Sequence, residues 1–241
     1  MIYIIGIGPG GSPAYLTSRA RHVIPSLHAA VYVGEMIGPD IRSLFGPGKL
    51  KTGRIAEAEV LADIKTAATS GVDLAVLVPG DSSLYSGQHG TERTVGQYVV
   101  WLRAMGIEFE IIPGISSWMA LCASAGIDMT SFGGAQGIFV ASLERMASAA
   151  ADGRLDIDSL DESLRHRPSL VLFQSYGCRS ELLPLLRRHY PPGTEIVIGY
   201  KVSWPEERII RVSLSAFEVG MLGEDLAKHS IILVLSKTET T

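Results

Sequence analysis

Three short segments hold the residues best placed to do chemistry. They are "GIGPGG" (6–11), "PGDSSLY" (79–85) and "PGISS" (113–117), each directly after an apolar run. Glycine in such turns lets main-chain N–H and C=O groups approach a ligand closely. Ser82, Ser83, Ser116 and Ser117 add hydroxyls, and Asp81 is the one carboxylate in the set. The rest of the chain lacks a nucleophile–base pattern of the G-x-S-x-G or H-E-x-x-H kind. His22, His28, His89, His166, His189 and His229 are scattered without ligand spacing, so no metal site is expected. Cys122 and Cys178 form no C-x-x-C pair and read as buried reduced thiols.

Gly6, Gly8 and Gly11 also spell G-x-G-x-x-G, the dinucleotide fingerprint, with Glu35 downstream after a second apolar run. That fingerprint needs a helix opening at its third glycine, because the helix N-terminus holds the pyrophosphate. Pro9, Pro13 and the Gly10–Gly11 pair delay the helix to about residue 17, so the spelling is present without the geometry.

The elements that must position these turns follow from periodicity. Residues 2–7, 29–34, 73–81 and 109–114 read as strands, alternating with helices over 17–27, 56–69, 90–105 and 116–125. Short continuous apolar strands between helices imply a parallel sheet covered on both faces. Further on, 137–142, 169–175, 195–202, 207–214 and 230–236 read as strands, with helices near 179–189 and 215–227. "SWPE" between 195–202 and 207–214 is short enough for a hairpin, so the second sheet is mixed. The fold class is therefore α/β with two α/β domains, 1–114 largely parallel and 115–241 mixed. The polar stretch 144–167 is expected to be a solvated loop with one short helix rather than a lid. In an open parallel sheet, ligands bind beyond the carboxyl ends of the strands, where all three glycine turns fall.

Composition sets the outer limits. The 241 residues are 46% hydrophobic and 19% charged, with 21 basic against 25 acidic residues and a net charge of −4. This gives no global pull toward nucleic acid. No apolar run reaches membrane-spanning length and no charged-then-apolar leader precedes Ile2, so a cytoplasmic protein is expected.

The three turns, in this order, resemble the three signatures of the tetrapyrrole methylase family, the S-adenosylmethionine-dependent class III methyltransferases; "IIPGISSWMALCASAGI" (111–127) carries the third. "YKVSWPEERIIRVSL" (200–214) resembles the late segment of the branch that methylates precorrin-4 or cobalt-precorrin-4 at ring carbon 11 in cobalamin biosynthesis. The resemblance implies two α/β domains with the cofactor in the cleft between them, a homodimer, and a small-molecule tetrapyrrole substrate. It implies cofactor contacts at Pro9, Pro79, Gly80, Asp81, Leu84, Ser116, Ser117, Gln174 and Val202. Asp81 and Tyr85 are the candidates for a catalytic role. Asp81 either meets the cofactor or closes an Asx-turn, Ser116 and Ser117 either meet the cofactor or cap a helix, and Tyr85 either lines the substrate trough or packs. Arg54, Arg93, Lys201 and Arg208 are candidates for substrate carboxylates, each balanced against a plain solvent-exposed charge, and Trp118 and Trp204 for stacking on the macrocycle. The chain departs from the family at Ser82, where proline is usual, at Gly11, where Asp often follows, and at Gly34–Glu35. Another precorrin-ring methylation, a methyltransferase of rRNA or a translation factor, and a non-catalytic binding module are the competing readings.

Overall fold

The computed structural model describes residues 1–32, 34, 36–53, 55–84, 94–130, 135, 137–149, 157–173, 179–218, 221 and 229–236. The chain divides into two compact units, Met1–Ala120 with Ser203–Pro205, and Leu121–Val202 with Glu206–Thr241.

The first unit is a five-stranded sheet in the order β3-β2-β4-β1-β5, with every neighbouring pair parallel. Its strands are β1 (Ile2–Gly6), β2 (Ala29–Tyr32), β3 (Leu50–Lys51), β4 (Leu74–Val78) and β5 (Phe109–Ile112). Its helices are α1 (Ser18–Val23), α2 (Pro39–Arg42), α3 (Glu57–Ser70), α4 (Val95–Ala104) and α5 (Ser117–Ala125), the last running on into the second unit. Alternate side chains of β1 and β4 enter two separate cores. Ile5, Ala75 and Leu77 pack with Ala20, Val23 and Ile41, whereas Ile2, Ile4, Leu74, Val76 and Val78 pack with Val60, Ile64, Tyr98 and Leu102. Burial on both faces explains why "LAVLV" is a continuous apolar run rather than an alternating one. Helix starts follow local capping chemistry. Thr17 accepts from Ala20 N at the start of α1, and Thr94 and Gln97 form a reciprocal capping box on α4.

The second unit has a five-stranded sheet in the order β6-β7-β10-β8-β9. Its strands are β6 (Ile138–Ser142), β7 (Ser169–Phe173), β8 (Glu195–Tyr200), β9 (Arg208–Ser213) and β10 (Ser230–Leu235). β6 and β7 are parallel, and the remaining neighbours are antiparallel, with β8 and β9 forming the expected hairpin. Its helices are α6 (Leu143–Ala149), α7 (Ile157–Leu164) and α8 (Arg179–His189).

The structure corrects the sequence expectation in three places. The stretch 144–167 carries two helices, α6 and α7, rather than a loop with one. Leu160 and Leu164 of α7 are fully buried in the core of the second unit, so apolar spacing outweighs the acidic residues around it. The second strand ends at Tyr32, and the two-residue β3 is too short to leave a periodic signal. The helix expected over 215–227 falls largely outside the described residues.

Candidate functional site

The three glycine turns leave adjacent strands, because β1 lies between β4 and β5 in the sheet. They are knitted together by main-chain contacts. Ile7 N donates to Val78 O at 3.0 Å; Gly8 N donates to Gly80 O at 3.2 Å and Gly80 N to Gly8 O at 2.8 Å. Gly8 at φ 68° and Gly80 at φ 69° close this bridge in a conformation that L side chains rarely adopt. Gly114 completes the junction. A Cβ there would lie 2.7 Å from the Gly6 carbonyl carbon and overlap Gly80 O, so only glycine fits.

Asp81 ties the second turn to the third. Its Oδ1 accepts from Ser83 N at 2.8 Å, which is the Asx-turn, and its Oδ2 accepts from Gly114 N at 3.0 Å. Both oxygens thus hold main-chain N–H groups, and the residue positions two loops at once. Buried Ser82 directs its hydroxyl at Ile112 O, 3.5 Å away, at the carboxyl end of β5. Serine at the position where the family usually has proline therefore points into the fold. Ser116 is buried and its carbonyl accepts from Met119 N and Ala120 N, placing it at the start of α5.

The first turn makes a separate set of contacts. Gly10 O accepts from Gly38 N at 2.7 Å, Pro9 O accepts from Trp204 Nε1 at 3.2 Å, and Gly11 N donates to Ser203 Oγ at 3.1 Å. A Cβ at Gly11 would stand 2.6 Å from Ser203 O, so an Asp there would displace the 203–205 segment. No α-helix follows this turn until Ser18; the intervening residues form a 3-10 turn at Pro13–Tyr15. The dinucleotide geometry is absent from this segment, as the prolines imply.

Pro9, Pro79, Gly80, Asp81, Leu84, Ser116 and Ser117 all lie on these three turns or at the start of the helix that follows the third. Pro79 is exposed, and Pro9, Gly80, Leu84 and Ser117 are half-exposed. Val202 is buried in its own unit, with its side chain against Gly199. Gln174, Tyr85, Arg54, Arg93 and Glu35 lie outside the described residues. Trp118 is half-buried, and the indole of Trp204 is committed to Pro9 O. Cys122 is half-buried rather than buried, and burial together with Asp128 pushes its thiol pKa up; Cys178 lies outside the described residues. Sequence reasoning missed the Asp81–Gly114 tie and the Ser203–Gly11 contact, because neither side chain's partner is local.

A sequence model of the tetrapyrrole (corrin/porphyrin) methylases matches residues 1–218. The chain belongs to this family. As a methylase it is 26% identical over 236 residues to precorrin-4 C(11)-methyltransferase of Mycobacterium tuberculosis, covering 97% of this chain and 89% of that one. Its fold matches a cobalamin biosynthetic enzyme, cobalt precorrin-4 methyltransferase, with a TM-score of 0.82 at 22% identity over 97% of this chain and 93% of that one. It also matches uroporphyrin-III C-methyltransferase from Thermus thermophilus complexed with S-adenosylhomocysteine, with a TM-score of 0.70 at 21% identity, over 97% of this chain and 96% of that one. At these identities the two structures establish a shared fold.

The three turns suit S-adenosylmethionine as a ligand. A Cβ on Gly80 would meet nothing within 4 Å, so the main chain there faces open space beside exposed Pro79 and half-exposed Leu84. Open space beside a glycine, flanked by apolar side chains, is the kind of surface that takes a nucleoside.

Proposed function

We propose that this methylase transfers a methyl group from S-adenosylmethionine to ring carbon 11 of precorrin-4 or its cobalt form. The observation that carries the reading is the junction of the β1, β4 and β5 turns through Gly8, Gly80, Asp81 and Gly114. The names of the relatives point to the corrin substrate. The resemblance to the family supports Pro9, Pro79, Gly80, Asp81, Leu84, Ser116, Ser117, Gln174 and Val202 as the cofactor contacts.

S-adenosylmethionine, when bound, supplies an electrophilic methyl group on a sulfonium sulfur, with a thioether as leaving group. The nucleophile is a carbon of the substrate's conjugated ring, so no side chain forms a covalent intermediate. The chain's task is to orient and to exclude water, and positioning of this kind lowers a barrier by up to about 10 kcal/mol. Asp81 serves that task by fixing the second turn against the third with both carboxylate oxygens. Tyr85, the last residue of that segment, is the proposed residue of the substrate trough. The reading extends to a cytoplasmic homodimer.

A second reading, methylation of a less modified ring, is favoured by the match to uroporphyrin-III C-methyltransferase. Calorimetry with S-adenosylhomocysteine tests the cofactor assignment: micromolar binding is expected, and no heat at high micromolar ligand contradicts it. Light scattering tests the dimer, with twice the 25.8 kDa chain mass expected and a monomer contradicting it.

A further inference from the structure

We infer that Lys201 and Arg208, set around the Tyr200 ring at the β8–β9 hairpin, form a subsite for the acidic side chains of the tetrapyrrole. The inference rests on the substrate class proposed above and adds the residues that read it.

Tyr200 ends β8 and pairs with Arg208 across the hairpin. The Arg208 guanidinium carbon sits 4.6 Å from the Tyr200 ring centroid, and Lys201 Nζ sits 5.4 Å from the same centroid. The two cationic groups are therefore at most 10 Å apart, a span that suits the two acid-bearing substituents of one pyrrole ring. Among the described residues no carboxylate lies within ion-pair distance of either cation. Both remain accessible, Lys201 half-exposed and Arg208 exposed, while Tyr200 beneath them is 3% exposed.

A cation–π contact with the tyrosine accounts for where both side chains lie. It does not account for the Lys201 backbone, which holds φ at 45°, a conformation that favours glycine and costs a lysine stability. Lys201 N donates to His229 O at 3.0 Å, anchoring that strained residue to the turn before β10. Two like charges beside one ring also repel each other. Strain held in place by surrounding structure marks a position kept for a ligand, and two cations with no carboxylate partner among the described residues select an anionic one. Guanidinium on carboxylate gives a bidentate contact and ammonium a point contact, so the pair fixes orientation as well as charge.

The test uses uroporphyrin III, a stable tetrapyrrole with eight carboxylates, titrated into the full-length protein by fluorescence. Wild-type protein is expected to bind. Lys201→Met and Arg208→Met are each expected to weaken binding roughly tenfold, and Arg208→Lys to recover only part of the loss. Lys201→Gly is the decisive variant. Glycine relieves the left-handed backbone, so the melting temperature holds or rises while porphyrin affinity falls with that of Lys201→Met. Affinity unchanged in Lys201→Gly and Arg208→Met, with wild-type binding intact, overturns the subsite and leaves the substrate class standing. Absence of wild-type binding overturns the substrate class and the subsite together. S-adenosylhomocysteine affinity, measured in parallel, is expected to stay within twofold in both variants.

Discussion

At the scale of single residues, the junction of the three turns is held by one carboxylate and by glycines that admit no side chain. Asp81 spends both oxygens on main-chain N–H groups, so its loss leaves Gly114 N and Ser83 N without partners. Asp81→Ala is expected to cost about 1–3 kcal/mol, a drop of roughly 2–12 °C in melting temperature measured by calorimetry. S-adenosylhomocysteine affinity is expected to fall at least tenfold, because the second and third turns lose their tie. Asp81→Asn keeps an acceptor for one of the two bonds and should fall between wild type and alanine on both readouts. Gly114→Ala is a sharper case. Its new Cβ meets main chain from Gly6 and Gly80, which cannot rotate away as a side chain would. Overpacking of this kind costs about 1–3 kcal/mol and is expected to abolish cofactor binding at concentrations that saturate wild type. Gly193→Ala, with nothing within 4 Å of its Cβ, serves as the control and should leave affinity unchanged. Thermal melts and calorimetry on the four variants distinguish these outcomes.

At the scale of elements, α7 shows what the sequence conceals. Its acidic residues read as a solvated run, yet Leu160 and Leu164, one helical turn apart, are both fully buried. Leu160→Ala is expected to destabilise the second unit by about 2–4 kcal/mol, measured by denaturant unfolding. α7 is also tied to α8 by charge. Asp161 Oδ1 accepts from Arg188 at 2.7 Å and from His189 Nε2 at 2.9 Å. His189 and then Arg188 hold the Asp161 carboxyl below its usual range. A carboxylate depressed in the folded state contributes stability above its unfolded pKa, near 4, and loses it as pH falls through the lower folded value. Asp161→Asn is therefore expected to lower the melting temperature at pH 7, with the difference from wild type vanishing in strong acid; equal melting at pH 7 would contradict the tie. The parallel first unit was legible because β1, β4 and β5 announce themselves as short apolar runs ending in Gly-Pro turns. The mixed second sheet was legible at its hairpin through "SWPE". β3, with two residues, and the Asp81–Gly114 tie, spanning 33 positions, carry no local pattern and had to come from the structure. The turns themselves could be named from the sequence, whereas which hydroxyl faces inward, as at Ser82, depends on packing.

At the scale of the whole molecule, the same 241 residues that spell a dinucleotide fingerprint fold into a tetrapyrrole methylase. The distinction lies in the first turn, where the prolines put a 3-10 turn at Pro13–Tyr15 and delay the helix to Ser18. No helix among the described residues is long and apolar enough to cross a membrane. The central claim is methyl transfer to a corrin-type ring. The direct measurement is incubation of the full chain with methyl-labelled S-adenosylmethionine and either precorrin-4 or cobalt-precorrin-4, with the product resolved by mass and by carbon NMR. One added methyl group at ring carbon 11 is the predicted result. Label appearing in uroporphyrinogen III or in bulk RNA, with none in either form of precorrin-4, would contradict it.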